Sequence, residues 1–174
     1  MIPSDWSIRL AHPVNAEDLA EVEEDAARIL RDAPSLAEIP TLPTRSAADY
    51  RAVIAQRQSL VAVSQDRIIG FAAARPAGRA LHLHSLNVAR AFQRNGIGGT
   101  LLRALQIDAR NAGFASITLH VFRDISWHKP FFAGYGFSDQ QDQGAHPRQA
   151  KGRHPTAIAG IPADRLCAMV CPLD

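Results

Sequence analysis

Residues 82–99, HLHSLNVARAFQRNGIGG, combine a histidine-bearing strand with a glycine-rich turn that opens a helix. The turn contains Gly96 and Gly98, directly before a stretch of helical periodicity. A turn of this kind presents free backbone N–H groups and the positive end of the helix dipole. These groups suit a phosphate or pyrophosphate and need no cationic side chain. We therefore expect a phosphate-bearing ligand here, beside two ionisable imidazoles, His82 and His84.

The spacing of these glycines excludes two common phosphate-binding motifs. A P-loop has four residues between its glycines and a Lys-Ser/Thr after the second, whereas Gly96 and Gly98 are separated only by Ile97 and no lysine follows. A dinucleotide-binding fingerprint needs a further glycine or alanine where this chain has Leu101. Such a fingerprint also lies in the strand–helix–strand unit that begins its domain. A plain strand-to-helix turn that holds no ligand remains the alternative.

Composition predicts one domain of ordinary size. The 174 residues are 47% hydrophobic and 21% charged, enough for a single unit across residues 1–174 that buries roughly 70% of its unfolded surface. A net charge of +2 gives no electrostatic reason to expect nucleic acid or an anionic membrane as a partner. We see no apolar run of membrane-spanning length and no signal peptide. Cys167 and Cys171 are the only cysteines, which favours a reduced, cytoplasmic protein.

Hydrophobic periodicity predicts a mixed α/β order of β-α-α-β-β-β-α-β-α-β. The clearest helix follows the glycines and ends at Gly113; because it joins two strands, it predicts a right-handed crossover between parallel strands. Segment 138–162 is polar and rich in glycine and proline, which favours a loop or lid. The predicted strands are 8–10, 60–63, 68–74, 81–88, 117–122 and 165–170, and the predicted helices are 15–31, 46–56, 97–112 and 127–135.

Two motifs resemble those of a known superfamily. Gln93-x-x-Gly96-x-Gly98, after a strand that ends in Leu86-Asn87-Val88, resembles the acetyl-CoA motif of the GNAT acetyltransferases. Segment 131–137, FFAGYGF, resembles their later motif, an aromatic pair, three residues and then Gly-Phe. The predicted element order agrees over essentially the whole chain. The resemblance implies a GNAT-like α/β fold, with a central, mostly antiparallel sheet that contains one splayed pair of parallel strands and is flanked by helices.

The resemblance also implies acetyl-CoA as co-substrate. The backbone N–H groups of residues 94–99 would hold the CoA pyrophosphate, and the backbone of Leu86 and Val88 would pair with the pantetheine arm. The Val88 N–H would donate to the thioester oxygen as it becomes an oxyanion. No metal is implied. The residues assigned to the cofactor in this way are Leu86, Asn87, Val88, Gln93, Arg94, Asn95, Gly96, Ile97, Gly98, Gly99, His128 and Phe132.

His82 and His84 are candidate catalytic bases, on one face of a strand and ~6.6 Å apart along it. Acetyl transfer needs an uncharged amine, whereas a free alkylamine has a pKa of about 10.4. His-Leu-His followed by Ser-Leu-Asn-Val-Ala-Arg-Ala-Phe closely resembles the arylalkylamine (serotonin) N-acetyltransferases, in which two such histidines are thought to deprotonate the amine. Two alternatives stay open: packed histidines with satisfied N–H groups, or metal ligands with His120 as a third.

One position departs from the families that this chain resembles, which usually have tyrosine where Phe132 stands. That tyrosine is held to protonate the departing CoA thiolate, which phenylalanine cannot do. A thiol has a pKa near 8.5, so a thiolate leaves without an acid at modest cost. Tyr135 is a weaker candidate for the acid, with packing as its alternative role, and Ser126 and His128 are other nearby donors. His128 also replaces the asparagine of a similar segment in bacterial members.

We therefore predict a cytoplasmic, acetyl-CoA-dependent N-acetyltransferase that acts on a primary amine of a small molecule by direct attack. The apolar residues of segment 33–44 favour an arylalkylamine, while the basic residues of segment 138–162 favour an acidic acceptor. Segment 138–162 could equally be a solvated surface loop. The alternatives are an acyl-CoA-binding protein with little catalysis, an acetyltransferase of peptide or protein amines, and a nucleotide-binding regulatory domain. An exposed C-terminal strand would allow a homodimer.

Overall fold

The computed structural model describes residues 5–32, 44–140 and 163–174. Its helices are α1 (Ala16–Arg31), α2 (Ala47–Ile54), α3 (Ile97–Asn111) and α4 (His128–Ala133). Its strands are β1 (Ser7–Leu10), β2 (Leu60–Ser64), β3 (Arg67–Ala77), β4 (Ala80–Val88), β5 (Ser116–Phe122), β6 (Ser138–Asp139) and β7 (Leu166–Pro172). They form one seven-stranded sheet in the order β1-β2-β3-β4-β5-β7-β6, so the mixed α/β fold is confirmed.

Local sequence signals set the ends of several elements. Ser46 caps α2 as predicted, since its hydroxyl accepts the Asp49 N–H at 3.2 Å. Gln65 and Asp66 both have positive φ, 47° and 61°, which closes the predicted hairpin between β2 and β3. The helix after the glycine turn ends two residues before Gly113, close to its predicted end.

The sheet carries a helical layer on each face. Along β3, Ala72 and Ala74 pack on the side of α3, which we call the α3 face. Phe71 and Ala73 pack on the opposite side, the α1/α2 face, where the rings of Phe71 and Tyr50 lie 5.2 Å apart, centroid to centroid. Side chains of neighbouring residues therefore alternate between the two cores, as a pleated strand requires. Buried members of the α3 face include Leu81, Leu101, Leu102, Leu105, Ile117 and Met169.

β4 and β5 form a parallel pair that is joined by α3. Their pairing reaches only as far as His82 opposite Thr118. β4 then continues to Val88 and β5 to Phe122 without further pairing between them. The strands therefore splay, as the GNAT-like fold implies, and we call the space between their unpaired halves the β4–β5 gap.

Three details differ from the sequence prediction. The segment Ser138–Asp139, predicted as loop, forms β6 beside Met169 and Val170 of β7. The C-terminal strand is therefore not the free sheet edge that we expected as a basis for a homodimer. Asn15 precedes α1, but its side-chain oxygen accepts the N–H of His12, at 3.0 Å, instead of capping the helix.

Two of the segments discussed above lie largely outside the described residues. These are 33–43, most of the predicted acceptor loop, and 141–162, most of the predicted lid. Within the part of the chain that the structure describes, no helix is both long enough and apolar enough to cross a membrane.

Candidate active site

The glycine turn leads directly from β4 into α3. Arg94 and Gly96 adopt left-handed backbone conformations, with φ of 61° and 77°. The N–H of Thr100 donates to the Gly96 carbonyl at 2.9 Å. Residues 97–99 precede that bond, so their N–H groups have no carbonyl of the preceding turn to bind. The turn therefore offers a cluster of backbone donors at the positive end of the α3 dipole, which suits an anion.

The two amide side chains of this turn are used inside it. Gln93 Nε2 donates to the Val88 carbonyl at 2.9 Å, and Asn95 Nδ2 donates to the carbonyls of Phe92 and Gln93 at 3.0 and 2.7 Å. Both residues were assigned to the cofactor by resemblance. In the structure their side chains brace the turn, which leaves the backbone N–H groups to face a ligand.

The glycines of the turn have different surroundings. A Cβ at Gly99 would lie 1.8 Å from the Tyr135 hydroxyl oxygen, so only glycine lets that phenol lie against α3. A Cβ at Gly98 would meet Val88 Cγ2 at 3.7 Å and Phe131 Cζ at 4.0 Å, which are ordinary contacts. Packing within the protein therefore explains why residue 99 is glycine but not why residue 98 is. At position 98, a small residue keeps that side of the turn open.

One edge of β4 faces the β4–β5 gap. The Ala89 N–H donates to the Ile69 carbonyl at 2.9 Å and so points towards β3. Backbone groups alternate in direction along a strand, so the N–H groups of Val88 and Leu86 point the opposite way, into the gap. The backbone donors that the resemblance assigned to the pantetheine arm and the oxyanion thus face an open space.

A β-bulge in β4 sets the direction of His84. In the pairing with β3, Ala73 lies opposite Ser85 but Ala74 lies opposite Leu83, so His84 is an extra residue without a partner. An extra residue of this kind bends the strand and redirects a side chain. The bulge is a tertiary feature of the sheet, and no motif in the sequence predicted it.

Three imidazoles meet on the side of the sheet away from α3. The His82 ring lies 4.9 Å from the His84 ring and 5.3 Å from the His120 ring, centroid to centroid. His82 Nδ1 is hydrogen-bonded to Thr118 Oγ1 at 2.9 Å. When the threonine oxygen accepts, His82 carries its proton on Nδ1, and Nε2 is then the basic nitrogen of the ring. We call His82, His84 and His120 the imidazole cluster.

Burial disfavours positive charge on two of the three imidazoles, those of His84 and His120. Burial lowers the pKa of His84 to about 3, and the charges of His82, Arg45 and Arg75 add to the effect. His84 Nε2 is buried and has no hydrogen-bond partner among the residues that the structure describes. Burial also lowers the pKa of His120. His84 and His120 are therefore neutral near pH 7, and His84 is a weak base.

The α1/α2 face contributes polar groups that sequence reasoning missed. The Tyr50 hydroxyl donates to Ser85 Oγ at 3.3 Å, and Asn87 Nδ2 donates to the same oxygen at 2.5 Å. The side chain of Asn87 is thus engaged on the α1/α2 face. Glu23 accepts the Arg45 N–H at 2.7 Å and its guanidinium at 3.3 Å. Glu23 stands on the apolar side of a predicted amphipathic helix, and nothing in its local sequence marked it as a buried partner.

Phe132 itself carries no hydroxyl, and its ring lies among other aromatic rings. Its ring packs 5.1 Å from Phe131 and 5.7 Å from Phe137, centroid to centroid. Tyr135 lies against α3 at Gly99, with the Arg103 guanidinium carbon 5.2 Å from its ring centroid. The structure therefore gives Tyr135 a packing role on the α3 face and does not bring it to the imidazole cluster.

His128 opens α4 with a half-buried imidazole. Its ring lies 6.2 Å from Phe122 and 6.0 Å from Trp127, centroid to centroid. Its Nδ1 is buried and has no hydrogen-bond partner within the described ranges, and burial lowers the pKa of His128 to about 4. A buried, unpartnered nitrogen is uncommon, so this atom is a candidate contact for a ligand.

Both cysteines are buried, free and poorly nucleophilic. Cys167 Sγ donates to Asp139 Oδ1 at 2.6 Å, and Asp139 also pairs with Lys129. Burial raises the thiol pKa of Cys167 and of Cys171, which holds both thiols protonated. In the described ranges, no three side chains of histidine, cysteine, aspartate or glutamate are placed to share a metal ion.

Known proteins match both the sequence and the fold. A family model described as an acetyltransferase (GNAT) domain matches residues 32–147, more than half of the chain. The PaiA N-acetyltransferase from Thermoplasma acidophilum, solved with coenzyme A, has a TM-score of 0.71 at 18% identity and covers 97% of this chain and 99% of its own.

Two further solved structures share the fold. The diaminobutyrate acetyltransferase EctA from Paenibacillus lautus, in complex with L-2,4-diaminobutyric acid and coenzyme A, has a TM-score of 0.71 at 16% identity, covering 97% of this chain and 95% of its own. The ribosomal-protein-S18-alanine N-acetyltransferase from Escherichia coli has a TM-score of 0.70 at 16% identity, covering 98% and 95%. Together with the family model that spans the glycine turn and α4, the fold leads to one conclusion: the chain belongs to the GNAT acetyltransferase family.

Proposed function

We propose that this protein is an acetyl-CoA-dependent N-acetyltransferase whose acceptor is a primary amine of a small molecule, and that residues 1–174 work as one domain. The observation that carries the proposal is the unpaired edge of β4, which runs along the β4–β5 gap and ends at the glycine turn. An extended ligand with an anionic group at one end fits both the unpaired edge of β4 and the glycine turn. The pantetheine arm and pyrophosphate of acetyl-CoA have that form.

In this proposal the cofactor is held mainly by backbone. The N–H groups of residues 97–99, at the start of α3, bind the pyrophosphate, and the backbone of Leu86 and Val88 pairs with the pantetheine arm. His128 adds a contact through its unpartnered Nδ1. The PaiA and EctA structures, which both hold coenzyme A, support acetyl-CoA as the co-substrate.

The imidazole cluster prepares the amine. His82 Nε2 takes one proton from the bound ammonium, while Thr118 holds the other ring nitrogen. The ring of His84, a weak base, and the ring of His120 flank His82 and fix its orientation. The free amine is then placed beside the thioester with its lone pair available.

The transfer itself needs no covalent enzyme intermediate. The amine nitrogen attacks the thioester carbonyl carbon, and the Val88 N–H donates to the oxygen that becomes negative. The C–S bond then breaks, CoA leaves as a thiolate, and the nitrogen passes its second proton through water to that thiolate. Direct attack is favoured over a cysteine acyl-enzyme because Cys167 and Cys171 are buried and their thiol pKa values are raised.

Phe132 favours one second candidate, a protein that binds acyl-CoA with little catalysis. Its ring is packed among phenylalanines and offers no acid for the thiolate. Steady CoA release from acetyl-CoA, measured with a panel of primary amines near neutral pH, tests between the two candidates. We expect amine-dependent turnover and binding of CoA but not of NAD or ATP. Tight CoA binding without turnover of any amine would contradict the transferase and favour the second candidate.

We also propose a cytoplasmic location, with acetyl transfer to a peptide or protein amine as the alternative to a small-molecule acceptor. Two free cysteines support a reducing compartment. The solved structures that share the fold include an acetyltransferase of a small diamino acid and one that is named for a ribosomal protein. The same fold therefore serves both classes of acceptor.

A further inference from the structure

An unpaired arginine stands beside the imidazole cluster. Arg75 of β3 lies directly opposite His82 in the antiparallel ladder. Residues in that relation project from the same face of a sheet, with Cβ atoms about 4.5–5.5 Å apart. The Arg75 side chain is exposed, and within residues 5–32, 44–140 and 163–174 it forms no ion pair with a carboxylate. Its guanidinium can therefore reach a ligand that touches His82.

A second arginine faces the same region but is already paired. Arg45 is held by Glu23, which accepts both its backbone N–H and its guanidinium. Its charge still opposes protonation of His84, as does the charge of Arg75. The charges that act on His84 from the described residues, those of His82, Arg45, Arg75 and His120, all oppose its protonation.

This charge pattern has two consequences for an acceptor. Positive charge nearby disfavours the ammonium form of a bound amine and so favours the free nucleophile. The same charge repels a polycationic acceptor and attracts one that carries an anion. A planar guanidinium matches a carboxylate particularly well, because it can donate two parallel hydrogen bonds.

On these grounds, and resting on the proposed function, we propose that the acceptor is a small primary amine that also bears a carboxylate. Arg75 binds the carboxylate while His82 receives the proton of the amine. Because Arg75 and His82 are direct neighbours across the ladder, the two groups of the acceptor are only a few bonds apart, as in an amino acid.

The test compares matched acceptors that differ only in the carboxylate: phenylalanine with phenethylamine, and leucine with isoamylamine. With wild-type protein and acetyl-CoA near neutral pH, we expect kcat/KM to be about tenfold or more higher for the carboxylated member of each pair. Arg75→Gln should bring that ratio close to one and leave the KM for acetyl-CoA unchanged. Arg79→Gln, at an exposed arginine in the turn between β3 and β4, is the matched control and should keep the wild-type ratio.

The outcomes separate the two proposals. Equal turnover of both members, or an unchanged ratio in Arg75→Gln, overturns the carboxylate acceptor and leaves the transferase intact. Calorimetric binding of phenylalanine to the CoA complex supplies a readout that needs no turnover. Binding that is lost in Arg75→Gln, without acetylation by wild type, would contradict the transferase while supporting anion recognition by Arg75.

Discussion

The imidazole cluster lies around the middle of β4 and the glycine turn follows the end of that strand, yet the two are built in different ways. The turn is made of backbone, with positive φ at Arg94 and Gly96 and two amide side chains that brace it from within. The cluster is made of side chains from two strands, brought together by a bulge at His84 and by the end of the β4–β5 pairing. We infer a division of labour, in which the turn holds the cofactor and the cluster acts on the amine.

The largest expected effect comes from the imidazole cluster. His82→Gln removes the base, so kcat for amine acetylation near neutral pH should fall about 100-fold or more. Affinity for acetyl-CoA, measured by calorimetry, should stay the same because the turn is untouched. His84→Gln should lower kcat less, since burial makes His84 a weak base. Wild-type rates in both variants would show that these histidines only pack.

The complementary variant distorts the glycine turn and leaves the imidazole cluster intact. Gly96→Val forces a β-branched residue to φ near 77°, which costs about 1–2 kcal/mol of folding free energy. Because the N–H groups then lose their arrangement, acetyl-CoA affinity should fall about tenfold. The rate at saturating acetyl-CoA should change little.

Gly78→Val is the matched control for strain alone. Gly78 has a φ of 63°, and a Cβ there meets no atom within 4 Å, as at Gly96. This variant should lose similar folding stability by denaturant titration and keep its acetyl-CoA affinity. An equal loss of affinity in both variants would contradict a specific role of the turn.

The two regions also differ in what the sequence could predict. The glycine turn depends on residues that are close in sequence, since Gln93, Gly96 and Gly98 lie within one short stretch. The spacing of its glycines was enough to exclude two other phosphate-binding motifs. The site around the histidines depends on strand pairing. The contact between His82 and His120 follows from parallel pairing that stops at Thr118, and the approach of Arg75 follows from the register with β3.

Strand β6 escaped prediction for a related reason. Two residues, Ser138 and Asp139, carry no periodicity, and they are held as a strand by β7 and by the contact of Asp139 with Cys167. Elements this short take their conformation from tertiary contacts. Long amphipathic elements such as α1 and α3 were predicted well because their own burial pattern repeats.

A smaller effect on kcat is expected from introducing a tyrosine hydroxyl at position 132. Phe132→Tyr adds an O–H at the position that usually carries tyrosine, and kcat should rise by up to about tenfold because protonation of the thiolate is then assisted. Steady-state CoA release measures it. Phe137→Tyr, in the ring that packs on Phe132, is the control and should give no gain. An unchanged rate in Phe132→Tyr would mean that thiolate departure does not limit turnover.

The smallest expected effect is on stability in acid. Burial lowers the pKa of His128 to about 4, whereas in the unfolded chain it is near 6.5. Between these values the unfolded chain binds a proton that the folded protein does not, so the free energy of unfolding falls as pH falls from 6.5 towards 4. His128→Asn should make this decline less steep, by roughly 1 kcal/mol per pH unit at most.

Denaturant titrations across that pH range measure the slope for His128→Asn. His12→Asn, at an exposed side chain before α1, is the control and should keep the wild-type slope. A His128→Asn slope equal to that of wild type would contradict burial as the cause.

The most direct test of the division of labour is amide hydrogen exchange, followed by NMR with and without acetyl-CoA. The Val88 and Leu86 amides face the β4–β5 gap, while the Ala89 amide is bonded to β3 and serves as an internal reference. We predict that acetyl-CoA slows exchange at Leu86, Val88 and residues 97–99 and leaves Ala89 unchanged. Unaltered exchange at Leu86 and Val88, under conditions where acetyl-CoA is bound, would contradict its placement in the gap.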